Sequence, residues 1–219
     1  MFTFDLYHRA GWDDALTPAM GLDVDIVGYG RRNTRERQDA QERLHALMLK
    51  VLADIGIQLD DLPYGAVCGD NMSLVLPPAT DPARALPTVL LAALARLTED
   101  NRRYKDRIRI RMGMDFGLAG RSRLGLIGNL IVDLNRLTDN STIRQAVANH
   151  LDADLVLLIS NRLYELVNPQ EQLILERVEV VIKEYAAPAW LWVPGEHAAR
   201  KRAWTVGSGM PMRRLQHGA

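Results

Sequence analysis

Apolar residues along this chain switch between strand spacing and helix spacing, and the order of the switches restricts the fold more than any other feature of the sequence. Residues 22–28 (LDVDIVG) carry acidic residues at alternate positions of an apolar run, which predicts a strand. A turn at Gly28 and Gly30 ends it. From position 33 or 34 onwards leucines and valines recur at helical spacing, and Gly56 ends this predicted helix.

The same two periods predict the rest of the order. Two apolar stretches, 62–68 and 72–77, are joined by Gly69-Asp70-Asn71, residues that tolerate the positive φ of a hairpin. At 107–114 arginines alternate with apolar residues, so one face of this strand is predicted to be buried and the other wet. A glycine-rich segment follows it. Helices are predicted at about 82–104, 130–150 and 161–167, and further strands at 155–159, 173–183 and 185–193.

This order, β-α-β-β-α-β followed by α-β-α-β-β, predicts the fold class. Strands separated by helices, with one tight hairpin, are typical of a mixed sheet with helices packed on it. We therefore expect an α+β fold with a ferredoxin-like βαββαβ core, extended by further strands and helices.

The composition is that of an ordinary globular protein and excludes several classes. The 219 residues include 27 Lys and Arg and 27 Asp and Glu, so the formal net charge is zero. Such a balance gives no overall attraction to duplex DNA or to an anionic membrane, and we predict neither nucleic acid nor membrane as a partner. The single cysteine, Cys68, excludes a disulfide framework and a cysteine-rich zinc site.

The two ends of the chain differ in character. The first residues, MFTFDLYHRAGWDD, lack the basic start and apolar run of a secretory signal, and no window approaches the ~18 apolar residues of a membrane helix. We therefore expect a cytoplasmic protein. Residues 1–194 are expected to form one domain, and residues 195–219, with five lysines and arginines, are predicted to be a basic, flexible tail.

Two acidic residues stand where a metal site would need them. Asp25 lies at the end of the first predicted strand, directly before the turn Val27-Gly28-Tyr29-Gly30, and Asp70 lies in the hairpin. In a β-α-β-β unit the first strand runs beside the hairpin, so the two carboxylates can meet at one edge of the sheet. Paired carboxylates hold Mg²⁺ or Mn²⁺, and the amides of a glycine turn receive phosphates. Turn geometry alone is the other explanation for an aspartate in a hairpin.

Five segments in order resemble the catalytic domain of the class III nucleotidyl cyclases, the adenylate and guanylate cyclases. The segment DVDIVGY, from Asp23 to Tyr29, is similar to the first metal-binding segment of that family, and Gly69-Asp70 with the residues after it is similar to the second. RIRMGM, from Arg109 to Met114, resembles the strand that follows. The other two segments are Gly128 to Leu137, similar to the segment of the catalytic Asn and Arg, and Ile182-Lys183, similar to the phosphate-binding Lys region.

The resemblance covers residues 20–194 and implies that domain 1–194 is a cyclase catalytic domain with the class III nucleotidyl cyclase fold. Two Mg²⁺ or Mn²⁺ ions per site would be held by Asp25, Asp70 and the carbonyl of Ile26. The 3′-oxygen of a nucleoside triphosphate would attack the α-phosphorus, releasing pyrophosphate and a 3′,5′-cyclic nucleotide. Sites of this family lie between two subunits arranged head to tail, so a homodimer with two sites is implied. The other residues implied are Val27, Gly28, Tyr29 and Gly30 at the phosphates, Arg136 at the α-phosphate, and Lys183 at the phosphates.

Some of these residues have alternative interpretations. Asp23 and Asp25 alternate onto the same face of the strand, and we assign the metal to Asp25 because it alone precedes the Ile-x-Gly-aromatic turn. Arg136 is alternatively a solvated helix residue paired with Asp133 or Asp139. Lys183 is alternatively an ordinary exposed strand lysine.

Three positions depart from the family pattern. Ala66, four residues before Asp70, and Gly125, eleven before Arg136, stand where purine cyclases carry the residues that read the base. Val132 stands at the usual position of the ribose-orienting Asn, and we assign that role to Asn129. Since neither alanine nor glycine has a side chain that hydrogen-bonds a base edge, the chain either uses another base or has lost activity.

Retention of both aspartates favours another base, because degenerate enzymes commonly lose their metal ligands as well. The chain resembles the short, stand-alone pyrimidine cyclases of the bacterial Pycsar antiphage system, whose cyclic UMP or cyclic CMP activates a partner effector. We therefore predict a cyclase for UTP or CTP in antiphage defence, with a cyclic-nucleotide-responsive effector downstream. A purine cyclase and a catalytically inactive nucleotide-binding homologue are the alternatives.

Overall fold

The computed structural model of the protein describes residues 16–122, 125–167, 173, 175–182 and 185–195. Eight strands and five α-helices occur in this part of the chain. In chain order they are β1 (Thr17–Ile26), α1 (Thr34–Asp54), β2 (Tyr64–Cys68), β3 (Asn71–Val75), α2 (Pro82–Arg103), β4 (Ile110–Ser122), β5 (Gly125–Ile127), α3 (Asn129–Asp139), α4 (Ser141–Asn149), β6 (Leu155–Ser160), α5 (Asn161–Val167), β7 (Glu176–Ile182) and β8 (Tyr185–Trp192).

Seven of the described strands form one path across a mixed sheet, in the order β2-β3-β1-β4-β6-β8-β7, and β5 pairs with the end of β4. β4 and β6 run parallel, and the other neighbours are antiparallel. The predicted α+β fold, a βαββαβ core extended by further strands and helices, is confirmed.

Helices cover both faces of the sheet. Alternate residues of the central strands, among them Leu22, Val24 and Met112, point to α1, α2 and α5 and form the larger apolar core. Full burial of one such side chain contributes roughly 1.5–3 kcal/mol. The opposite face packs against α3 and α4. Because side chains alternate along a strand, this second face carries Asp23 and Asp25.

The arginine face predicted to be wet over 107–114 is wet only in part, because Arg107 is exposed whereas Arg109 and Arg111 are partly buried. Arg109 is half-buried, and its guanidinium donates to the carbonyls of Val147, His150 and Ala153 at the end of α4 and beyond it. A guanidinium has five donors in a fixed fork, so it can satisfy carbonyls that a helix end leaves without partners. Arg109 therefore joins the residue before β4 to the end of α4 through polar contacts.

The glycine-rich segment after Met114 is strand and not loop. β4 continues to Ser122, because its glycines let α3 lie directly on the sheet. A Cβ on Gly113 would come within 3.0 Å of Thr138, and one on Gly117 within 3.2 Å of the Asn129 amide. The two glycines are four residues apart and therefore share the face that α3 covers.

The helix predicted over 130–150 is two helices that meet at Asn140. The side chain of Asn140 donates to the carbonyls of Arg136 and Leu137, at 3.0 and 2.6 Å, and accepts from the N–H of Ile143 at 3.0 Å. One amide thus ends α3 and begins α4, a common role of asparagine at helix termini. The break leaves the last turn of α3 beside the end of β1.

No helix among the described residues is long and apolar enough to cross a membrane. The predicted tail, 195–219, lies outside the described residues except for Gly195.

Gly128→Ala should destabilise the fold. Gly128 has a φ of 111° before α3, and a Cβ there would lie 2.1 Å from the carbonyl oxygen of Leu118. The backbone fixes the position of this Cβ, and the Leu118 carbonyl is itself backbone, so neither group can move aside. We therefore expect a loss of about 2 kcal/mol or more in the free energy of unfolding, measured by urea denaturation. Gly30→Ala is the control, since a Cβ there meets nothing within 4 Å. Equal losses in the two variants would contradict this explanation.

Candidate active site

The pairing of β1 brings the predicted metal ligands to one place. β1 pairs with β3 on one side and with β4 on the other, and this register puts Asp25 opposite Asn71 and Arg111. Asp23, two residues earlier, points to the same face. The end of β1 therefore presents two carboxylates beside the turn that contains Asp70.

Asp70 lies in the two-residue turn between β2 and β3. Gly69 takes a φ of 63° in this turn, and its carbonyl accepts a hydrogen bond from Gln41 of α1. The N–H of Ile26 donates to the carbonyl of Asp70 at 3.0 Å. Since the N–H and C=O of a strand residue point to the same neighbouring strand, the carbonyl of Ile26 also faces this turn. Backbone contacts therefore hold the turn against the end of β1.

A surface pocket of about 500 Å³ opens where these segments meet. β1, the β2–β3 turn, β4 and the C-terminal half of α3 form its walls. The excess of negative charge in the pocket favours a cation, and the volume is in the range of small-molecule sites. Four carboxylates and two guanidinium groups line it, namely those of Asp23, Asp25, Asp70, Asp139, Arg111 and Arg136.

The Asp25 carboxylate is incompletely paired. Its Oδ2 accepts from Nε of Arg111 at 2.5 Å, whereas its Oδ1 is buried and has no hydrogen-bond partner among the described residues. Burial raises the pKa of Asp25 to about 6; Arg111 opposes this rise, and the neighbouring Asp70 adds to it. A buried carboxylate oxygen without a partner is unfavourable, and a divalent cation would supply the partner.

The residues present fit Mg²⁺ or Mn²⁺. The described residues contain no group of three or more His, Cys, Asp and Glu side chains that could hold a metal. The possible protein ligands in the pocket are therefore the carboxylates of Asp25 and Asp70 and the carbonyl of Ile26. Hard oxygen ligands of this kind suit both ions, and Mg²⁺ sites commonly complete their shell with water and phosphate oxygens. Few protein ligands are therefore expected.

Arg136 lines the same pocket from α3. Its Nη1 donates to Asp133 at 3.0 Å, which is the helix pairing considered as its alternative role. Arg162 of α5 also binds Asp133, at 2.8 Å, and reaches the buried Asp115 of β4 at 2.7 Å. The Arg136 side chain remains 38% exposed, so a bound nucleotide can reach it.

Asn129 begins α3, about 10 Å along the helix from Arg136. Its Oδ1 accepts from the N–H of Leu118 at 2.9 Å, and its Nδ2 donates to Asp133 at 3.2 Å. Both ends of this amide are used to hold α3 on β4. Asn129 is not among the described residues that line the pocket of Asp25 and Asp70. Val132, at the usual Asn position, is 49% exposed.

The other predicted site residues lie in several elements. Val27 to Gly30 form the exit from β1: the N–H of Val27 donates to the carbonyl of Arg109 at 2.8 Å, Gly28 takes a φ of 74°, and a 3₁₀ turn follows at Tyr29–Arg31. Ala66 lies in β2 opposite Ser73, and Gly125 begins β5 opposite Ser122. Lys183 lies outside the described residues.

Arg111 is a candidate that the sequence pattern does not identify. Its guanidinium binds Asp25 and lies 3.8 Å from Asp139 of α3. The sequence shows only that Arg111 is one of the arginines that alternate with apolar residues at 107–111. Its contact with Asp25 follows from the register of β4 against β1, which no local pattern contains.

Solved structures similar to this chain include cyclase domains. The guanylyl cyclase Cya2 is similar with a TM-score of 0.61 at 15% identity, over 84% of this chain and 93% of its own. The adenylyl cyclase CyaB from P. aeruginosa has a TM-score of 0.58 at 14% identity, over 82% of this chain and 94% of its own. A non-canonical dimeric guanylyl cyclase domain of the RhoGC fusion protein from the aquatic fungus Blastocladiella emersonii has a TM-score of 0.55 at 16% identity, over 80% of this chain and 96% of its own.

This chain has the class III cyclase fold. No protein-family model and no curated protein sequence matches it. At 14–16% identity the likeness to the solved structures concerns the fold alone. The fold expected from the resemblance is thus confirmed, and activity is a separate question.

The stability of the metal-free protein should depend on the charge of Asp25. Its pKa is about 6 in the folded protein against an ordinary 3.8, so the folded state binds more protons than the unfolded state between these values. The contribution of Asp25 to the free energy of unfolding should therefore be most favourable below about pH 4 and should fall as the pH rises to about 6. Denaturation in EDTA of the protein and of Asp25→Asn checks this. As the pH rises from about 4 to about 6, the free energy of unfolding of the wild-type protein should fall relative to that of Asp25→Asn. A difference between the two proteins that stays constant over this range would refute the prediction.

Proposed function

We propose that the protein is a metal-dependent nucleotidyl cyclase, which converts a nucleoside triphosphate to its 3′,5′-cyclic monophosphate and pyrophosphate. The observation that carries the proposal is that Asp25 and Asp70 line one pocket with an excess of carboxylates. The fold shared with adenylyl and guanylyl cyclase domains supports it. A triphosphate needs cations to neutralise it during attack on its α-phosphorus, and this pocket has the donors to hold them.

Asp25, Asp70 and the carbonyl of Ile26 are the proposed ligands of two Mg²⁺ or Mn²⁺ ions. When bound, the metal lowers the pKa of the ribose 3′-hydroxyl and compensates the charge of the triphosphate. Arg136 donates to the α-phosphate, where negative charge develops in the transition state. In the same proposal Val27, Gly28, Tyr29 and Gly30 receive the phosphates with Lys183, and Asn129 orients the ribose.

Arg111 belongs to the same proposed site. In the metal-free protein it is the cation that pairs with Asp25. With a cation at Oδ1 of Asp25, Arg111 would keep Oδ2 as an acceptor and would offer its remaining N–H groups to the triphosphate. A guanidinium is suited to this, because it donates two parallel hydrogen bonds to phosphate oxygens.

A head-to-tail homodimer with two shared sites is part of the proposal. Near the start of α3 the apolar residues Leu118, Ile127 and Val132 are each 41% to 49% exposed. Exposed apolar surface of this kind marks interaction sites. A similar guanylyl cyclase domain forms a non-canonical dimer in one structure and is monomeric in another, so the head-to-tail arrangement proposed here rests on the resemblance to the cyclase family.

The proposed substrate is a pyrimidine nucleotide, UTP or CTP. Ala66 and Gly125, at the positions of the base-reading side chains, cannot hydrogen-bond a purine through their side chains. From the resemblance to the Pycsar enzymes, the cyclic nucleotide would act in the cytoplasm as a second messenger for an effector in antiphage defence. A purine cyclase is the second candidate, because the solved structures with this fold include adenylyl and guanylyl cyclases. An inactive nucleotide-binding homologue is the third.

Incubation with each of the four nucleoside triphosphates and Mn²⁺ should yield cyclic UMP or cyclic CMP, identified by mass spectrometry. Asp70→Asn removes a proposed ligand charge and should lower the rate about 100-fold or more. Asp54→Asn, on α1 and outside the pocket, is the matched control and should keep the rate. Product from ATP or GTP alone would replace the pyrimidine proposal with the purine one. Absence of product from all four would leave the inactive homologue.

Mixing two inactive variants should restore activity if the site is shared between subunits. In the shared site Arg136 would serve the Asp25 of the partner subunit, whereas in the described chain it also lines the pocket of its own Asp25. Asp25→Asn and Arg136→Ala distinguish the two arrangements. Randomly exchanged subunits would give half heterodimers, each with one intact site of two, so we expect about a quarter of the wild-type rate. A mixture that stays inactive after subunit exchange, with dimers present by light scattering, would show that Asp25 and Arg136 act within one chain.

A further inference from the structure

Asp23 is a fully buried carboxylate of the pocket, with no role in the proposed function. The side-chain amide of Asn71 donates to both of its oxygens at 2.9 Å. The hydroxyl of Ser73 donates to Oδ1 at 2.5 Å, and the hydroxyl of Thr138 donates to Oδ2. A carboxylate with four hydrogen bonds cannot become a metal ligand without losing some of them.

The partners of Asp23 are neighbours of proposed site residues. Asn71 directly follows Asp70, so its bond to Asp23 holds the start of β3 against β1. Thr138 directly precedes Asp139 and lies in the same last turn of α3 as Arg136. Asp23 is therefore a buried connection between β1, the Asp70 turn and the last turn of α3.

We propose that Asp23 is a positioning residue of the metal site, which acts through Asn71 and Thr138. It sets where Asp70 and the end of α3 stand relative to Asp25, and it touches neither metal nor substrate. The inference rests on the proposed function for the identity of the site. Groups that orient metal ligands typically change metal affinity 10–100-fold when they are substituted.

Mn²⁺ binding, measured by electron paramagnetic resonance without nucleotide, tests the proposal. Asp23→Asn keeps the shape of the side chain, but it removes the charge and turns an N–H₂ group towards donors. We expect about tenfold weaker Mn²⁺ binding or more, in a protein whose circular dichroism is unchanged. In the cyclase assay, the Mn²⁺ concentration for half-maximal rate should rise more than kcat at saturating Mn²⁺ falls.

Two threonines give a matched pair of variants. The hydroxyls of Thr138 and Thr98 each lie within hydrogen-bond distance of the carbonyl four residues earlier in their helix. The single proton of Thr138 is donated to the closer, charged Asp23, whereas that of Thr98 is donated to the carbonyl. Both Thr→Val changes replace a helix hydroxyl by a methyl group, so Thr98→Val controls for the substitution itself, and Thr138→Val should lower Tm more because it removes a donor from a buried carboxylate. Thr138→Val should also weaken Mn²⁺ binding, Thr138→Ser should restore it, and Thr98→Val should leave it unchanged.

Amide hydrogen exchange provides a readout that needs neither metal nor activity. The N–H of Ile26 donates to the Asp70 carbonyl, and the N–H of Leu76 donates to the Met20 carbonyl at the far end of the β1–β3 pair. Asp23→Asn should speed exchange at Ile26 several-fold more than at Leu76. Native Mn²⁺ affinity together with native exchange at Ile26 would overturn the positioning role. Wild-type protein that binds Mn²⁺ and forms no cyclic nucleotide would instead refute the proposed function, and the variant comparison would still decide on Asp23.

Discussion

The register of β1 between β3 and β4 is the constraint on which the site depends. Leu22, Val24 and Ile26 are buried against the helices on one face, and alternation turns Asp23 and Asp25 to the other. A shift by one residue would put both carboxylates into the apolar core and three apolar side chains into the polar pocket. The apolar residues of β1 therefore determine where its acidic residues point.

Local patterns predict the parts of this fold that depend on local chemistry. The bounds of α1, α2 and α5 follow closely from helical periodicity and its stop signals, since capping and burial of one face act within a few residues. The extension of β4 and the break at Asn140 are not predicted. The glycines of β4 are strand residues because α3 lies on them, and Asn140 ends one helix while it begins another. Both depend on contacts that a local window does not contain.

The same distinction separates the predicted from the unpredicted site residues. The meeting of Asp25 and Asp70 follows from the topology of a strand beside a hairpin, and the structure places both in one pocket. Arg111 and Thr138 reach this pocket from elements distant in sequence, so only the tertiary fold identifies them. Asn129 was assigned from its position on a helix. Its amide is engaged by Leu118 and Asp133, which periodicity along α3 could not reveal.

The different surroundings of Asp23 and Asp25 explain why two neighbouring carboxylates on one strand face are suited to different roles. Asp23 receives four hydrogen bonds from uncharged donors, and such a group holds its surroundings in place. Asp25 receives only the guanidinium of Arg111 on one oxygen, and its other oxygen is buried without a partner. Both contacts of Arg111 are made to Oδ2, so Oδ1 stays unsatisfied and the metal-free pocket retains an unfavourable electrostatic term that a bound cation would relieve. Because a bound cation would also offset the carboxylate charge of the pocket, which repels an anion, cation and triphosphate would each favour the binding of the other.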